Sequence, residues 1–196
     1  ISRMKYDICR VEIPEVYFKL SNEPAGGVYE LPISGKEPAL QGANDRYDLY
    51  QAFHGRKMIL SRYAGMDDNY PHPGGQIDYF SREYENLSKS GNRFNGYLAQ
   101  IYDEVEPEYS PQEVDEVKNM GFSYIILHEC EFARYWEQKD PYMPQEERGF
   151  TYRAAKEHFL DSDKFELVFI SREYPENFIP LDRFLPEYEV SVFRIK

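Results

Sequence analysis

Two histidines and a scatter of carboxylates are the residues with the most capacity for chemistry in this chain. His128-Glu129-Cys130-Glu131-Phe132 starts as a zinc-protease motif does, with an imidazole beside a glutamate able to activate water. The second histidine belongs one helical turn later, where Phe132 stands, and the segment ends a strand rather than lying on a helix. The motif is rejected. Asp161-Ser162-Asp163 has the paired-carboxylate form with which many nucleotide-sugar transferases hold a hard divalent cation. It closes a helical segment and precedes a strand, so short polar residues terminating a helix explain it better. His72 with Asp67 and Asp68 lies in a loop and reads as solvated surface. Gly35-Lys36 is no phosphate cradle, because Glu30 replaces the first P-loop glycine and Glu37 follows the lysine. There is no Gly-x-Ser-x-Gly elbow, and Cys9 and Cys130 are too far apart for Cys-x-x-Cys chemistry. We assign no catalytic residue, no metal site and no cofactor.

Six residues remain as candidate ligand or interdomain contacts: Tyr47, Tyr50, Gln51, His54, Arg56 and His128. Tyr47, Tyr50, Gln51 and His54 share one face of a helix. His128 ends the most apolar strand, and crevices of open α/β sheets form beyond the carboxyl ends of strands. Two readings stay open. The imidazoles serve a ligand, with His128 and Glu129 as an acid/base pair, or they hydrogen-bond to loop backbone and close the sheet edge. The abundant aromatic residues pose the same choice between core and a stacking platform for a sugar ring. Asn86-Leu87-Ser88 fits a glycosylation sequon at a helix end.

The elements that must position these residues alternate between helical and extended periods, which predicts an α/β fold. Short helical signals over 14–21 and 44–54 precede strands at 28–33 and 57–60, and Gly55 ends the second helix. Residues 66–75 read as a loop. Two amphipathic helices follow, one with Ile77, Phe80, Tyr84 and Leu87 inward, the other with Phe94, Leu98, Ile101 and Val105. Ser110-Pro111-Gln112-Glu113 is a capping box opening a helix that stops at Gly121. Residues 122–127 form the expected centre of the sheet. Residues 131–149 read as a polar, aromatic insertion, 151–160 as a helix, and 165–171 and 188–195 as the last strands. The expected architecture is a single compact α/β domain over 1–196, with a mixed, mostly parallel sheet of about five strands flanked by helices.

The chain has 196 residues, 23 basic against 35 acidic, for a net charge of −12. That balance argues against a nucleic-acid binder, which carries a basic face, and against docking on anionic lipid by charge alone. With two cysteines the chain builds no disulfide lattice, although an oxidising compartment would allow Cys9 and Cys130 to pair. Nothing in it approaches the roughly 20 apolar residues of a membrane span. The first residue is Ile1 rather than Met, which fits excision from a longer protein and equally a processed mature chain.

Several segments together carry a resemblance. They are Tyr17 to Leu20, Val28-Tyr29-Glu30-Leu31-Pro32, Tyr47-x-x-Tyr50-Gln51-x-x-His54-Gly55-Arg56-Lys57-Met58-Ile59, Tyr63-Ala64-Gly65, and Met120-Gly121-Phe122-Ser123-Tyr124-Ile125-Ile126-Leu127-His128. The chain resembles the soluble C-terminal domain of bacterial polytopic membrane proteins related to lipid-linked-sugar glycosyltransferases, the mannosyltransferase-like and aminoarabinose-transferase-like group. The resemblance implies an absent N-terminal transmembrane region of the same polypeptide as partner, and a domain facing the periplasm or cell exterior. A glycan or lipid-linked sugar becomes the expected ligand. The family's catalytic acid lies between early membrane spans, so none is carried over. The resulting expectation is a non-catalytic accessory domain; a free-standing carbohydrate-binding module and a small hydrolase or transferase using His128 and Glu129 are the alternatives.

Overall fold

The apolar run from Phe122 to His128 becomes the middle strand of a five-stranded sheet, as its composition demands. The computed structural model describes residues 9–33, 41–59, 81–103, 107–174, 178–180 and 186–196. In chain order these form β1 (Cys9–Val11), α1 (Glu15–Leu20), β2 (Gly27–Leu31), α2 (Gln41–His54) and β3 (Met58–Ile59). Next come α3 (Ser81–Ser90), α4 (Arg93–Gln100), α5 (Pro111–Asn119) and the central β4 (Phe122–His128). The chain continues with α6 (Glu129–Lys139), α7 (Phe150–Asp161), β5 (Phe165–Glu173), β6 (Phe178–Pro180) and β7 (Tyr188–Ile195).

The main sheet has the order β3-β2-β4-β7-β5. β2 runs parallel to both β3 and β4, while β7 is antiparallel to β4 and β5, so four strands share one direction and β7 alone opposes them. The mixed, mostly parallel sheet read from the sequence is therefore present. Successive strand residues face opposite sides, and two cores follow. Tyr29, Leu31, Ile125 and Leu127 meet Phe94, Leu98, Val114, Val117 and Phe159 on one face. Val28, Tyr124 and Ile126 meet Val16, Tyr17 and Leu20 of α1 and Tyr47 and Tyr50 of α2 on the other. Glu30 and His128 have the parity of this second face.

The segment read as an insertion opens with a helix. α6 carries Phe132, Tyr135 and Trp136 at one-turn spacing, and Phe132 is fully buried in the larger core. Its charged neighbours masked that period in the sequence. A two-stranded antiparallel ribbon, β1 with β6, was also not foreseen. β6 falls inside the proline-containing connection between the last two strands. The expected loop at 66–75, with His72, Asp67 and Asp68, lies outside the described residues, as do Ile77, Phe80 and Val105.

The capping box forms in full. The Ser110 hydroxyl accepts from the Glu113 amide at 3.4 Å, and Glu113 Oε2 accepts from the Ser110 amide at 2.7 Å. Glu113 also accepts from the Arg93 side chain, which ties the start of α5 to α4 and holds this carboxyl well below the usual carboxylate range. Replacing Ser110 by alanine is expected to cost about 1 kcal/mol. Urea unfolding checks this, with a lowered midpoint at constant slope as the expected result.

Candidate functional site

Glu30, the one charged residue of β2, faces the α1/α2 layer instead of solvent and is fully buried. A carboxylate in that position needs partners, because an unpaired buried charge is severely penalised. His128, at the end of the neighbouring β4, supplies the first: Nε2 lies 2.8 Å from Glu30 Oε2. The other ring nitrogen, Nδ1, lies 2.7 Å from Oε2 of Glu173, at the end of β5. All three side chains have zero exposure. The Tyr17 hydroxyl of α1 donates to Glu30 Oε2 at 2.8 Å and also approaches His128 Nε2 at 2.9 Å. Three strands and a helix thus converge on one imidazole.

Helix α2 closes the cluster from above. Tyr50 stacks on Tyr17 with ring centres 4.3 Å apart, and Tyr47 lies 4.8 Å from the His128 ring. The Tyr47 hydroxyl donates to the Pro32 carbonyl at 3.2 Å. His54 accepts the Arg56 backbone N–H at Nδ1, 3.1 Å, which leaves Nε2 directed to Glu30 Oε1 at 3.5 Å. Arg46 extends the ionic chain. It pairs with Glu131 of α6, lies 3.9 Å from Glu173, and donates to the Tyr174 carbonyl and the Cys130 sulfur, each at 2.8 Å.

Electrostatics lock the cluster together. Burial works against the charged form of His128, but the Glu173 and Glu30 carboxylates prevail and hold it up to about 9. Burial likewise pushes Glu30 and Glu173 upward, and the His128 contacts, joined by His54 at Glu30 and by Arg46 at Glu173, more than reverse it, leaving both carboxyls below their ordinary value. With both ring nitrogens donating, His128 is an imidazolium at neutral pH. It has no lone pair with which to take a proton from a substrate. Cys130 is a free buried thiol, pushed well up by burial despite its Arg46 contact, and so is no nucleophile.

Of the six sequence candidates, Tyr47, Tyr50, His54 and His128 meet in this cluster, buried. Gln51 and Arg56 serve backbone instead. Gln51 donates to the Arg56 carbonyl at 2.7 Å. The Arg56 guanidinium reaches the carbonyls of Leu20, Glu23, Pro24 and Gly26, at 2.6–3.2 Å, and lies over the Tyr124 ring. These carbonyls belong to the end of α1 and the turn into β2, so Arg56 acts as their internal cation. The groove beside it, about 440 Å³, lies at the amino ends of the parallel strands and is lined by Gly26, Gly27, Gly55 and Gly121 together with Glu23 and Lys57.

His128 and Glu129 diverge. The imidazole enters the sealed cluster, whereas Glu129 accepts the Glu189 amide at 2.8 Å and lines a separate surface groove of about 340 Å³. They form no acid/base pair. The sequence did not single out Tyr17, Arg46, Glu131 or Glu173. Glu30 did carry a signal, as an acid between Tyr29 and Leu31 in an otherwise apolar strand. Among the described residues, no group of three or more His, Cys, Asp or Glu is arranged to hold a metal ion. Compared with known proteins, the chain matches no family model, no curated protein and no solved structure.

Proposed function

We propose that the chain is a non-catalytic accessory domain of an integral-membrane glycosyltransferase-like protein. It lies on the extracytoplasmic face and shapes the place where a glycan or lipid-linked sugar meets its acceptor. The observation that carries the non-catalytic part is the sealing of His128. The richest acid/base constellation among the described residues has no exposure, and its imidazole is committed to two carboxylates. General catalysis needs a group within reach of the substrate proton, and this one is within reach only of its own clamp.

The membrane assignment is supported by the segments of resemblance, above all Tyr47-x-x-Tyr50-Gln51-x-x-His54-Gly55. In this fold those residues seat α2 on the sheet, so the motif reads as the signature of a scaffold rather than of a ligand. That also removes the basis for a free-standing carbohydrate module working through Tyr47, Gln51 and His54. No helix among the described residues is long and apolar enough to cross a membrane, so this reading requires the spans to come from another part of the polypeptide. Sequencing the gene upstream of the Ile1 codon tests it. The expected result is a continuous frame encoding several runs of about 20 apolar residues; a frame without them overturns the proposal.

A further inference from the structure

We propose that two copies of the chain associate through the outer edge of β5, antiparallel across a two-fold axis, so that their sheets join into one. The two edges of the main sheet are unequal. β3 has two residues, whereas β5 has nine and, among the described residues, one neighbour in the sheet, β7. The outward N–H and C=O groups of β5 form a pairing template about 30 Å long. Apolar side chains flank it. Ile170 is 44% exposed, and Leu160, in the last turn of α7, is 49% exposed. Its neighbour Phe159 packs on Phe165 with ring centres 4.6 Å apart, which places this turn at the start of β5.

A bulge in β5 selects the register. Leu167 pairs with Phe193 and Phe169 with Val192, so Val168 is the extra residue, and Val168 and Phe169 both pack toward α1 and α2. Side-chain alternation restarts there. Phe165 and Leu167 face α7 before the bulge. Ile170 and Arg172 face α7 after it, because they lie opposite Ser191 and Glu189, which bond to Tyr152 of that helix. Residues directly opposite in an antiparallel pair share a face. A two-fold axis between Val168 and Phe169 meets this condition: Leu167 faces Ile170 of the second copy and Val168 faces its Phe169, each contact being made twice. Without the bulge the same register would put Leu167 and Ile170 on opposite faces.

Charge favours a second copy as the occupant. The amino end of β5 follows the exposed Asp161 and Asp163, while Lys164 is held by Asp115 of α5 at 2.6 Å. The carboxyl end carries Arg172, whose side chain is 77% exposed although it pairs with Glu187. The two-fold axis sets Arg172 opposite Phe165 of the second copy, two residues from Asp163, so acid meets base at both ends of the paired strands. The pairing goes beyond the accessory-domain reading and does not depend on it.

Sedimentation equilibrium of the 196-residue chain tests the proposal. Loading concentrations from about 1 to about 100 μM bracket a dissociation constant of about 10 μM. The expected result is a reversible rise from 23.3 kDa to twice that mass. Ile170→Lys places a charge on the apolar edge and should leave a monomer over the whole range. Arg172→Asp should raise the dissociation constant about tenfold. Adding Asp163→Arg to Arg172→Asp should restore it to within about threefold of the parent, because the exchanged charges meet again across the two-fold axis. Circular dichroism and urea midpoints confirm that each variant is folded. A chain still monomeric at about 100 μM overturns the proposal. So does a dimer that survives Ile170→Lys, or a folded double variant no tighter than Arg172→Asp.

Discussion

Replacing His128 by glutamine will lower the unfolding free energy by about 3–5 kcal/mol. The change removes the cation from between two fully buried carboxylates, and glutamine can donate to them without neutralising either. The expected measurement is a large fall in urea midpoint. The triple change Glu30→Leu, His128→Leu, Glu173→Leu should recover much of the loss, because an apolar replacement of a whole buried ionic cluster is often neutral or stabilising. Recovery is limited by Arg46 and His54, which each lose a carboxylate neighbour.

The same clamp sets the pH profile. Unfolded His128 titrates near its ordinary 6.5, whereas the folded group titrates near 9. Its stabilisation is complete below pH 6.5, declines as pH rises, and is lost above about 9; the two values differ by about 3 kcal/mol of linkage. Glu30 and Glu173 act in the opposite direction. Both are held below 4.5, so their contribution is complete above that pH and is lost as pH falls through their folded values. Stability should therefore peak between about pH 4.5 and 6.5 as far as this cluster is concerned. In His128→Gln the alkaline decline between 6.5 and 9 should become shallow; an undiminished decline would falsify the assignment of that slope to His128.

Arg56→Ala is the second large effect, with an expected loss of about 3 kcal/mol. Four carbonyls at the end of α1 and in the turn to β2 lose their common donor, and Tyr124 loses the guanidinium packed on its ring. Arg56→Lys should recover less than half, since an ammonium keeps the charge but cannot fork among several acceptors. Hydrogen exchange supplies the local readout: amides of 20–27 should exchange faster in both variants, while those of β7 keep their protection.

Much of the fold was legible because it depends on local periods. The capping box at Ser110, the glycine stop at Gly55 and the apolar centre at 122–128 are each encoded within a few residues. α6 was less legible, because Glu129, Glu131, Arg134 and Glu137 break its apolar stripe and the prolines that follow suggested a loop. The candidate site was legible only in part. Tyr47, Tyr50 and His54 do share a helix face, yet their polarity suggested solvent and ligand. In the structure that face looks onto a charged sheet end and is buried.

By itself the sequence determined the class of fold and the identity of the central strand, since composition and short-range periodicity suffice for both. Only the tertiary structure decided what His128 does. Its partners lie 45, 98 and 111 residues away in the chain, at Glu173, Glu30 and Tyr17, and a buried charge takes its protonation state from neighbours in space. Strand order brings those neighbours together, and strand order is a property of the packed sheet rather than of any one segment.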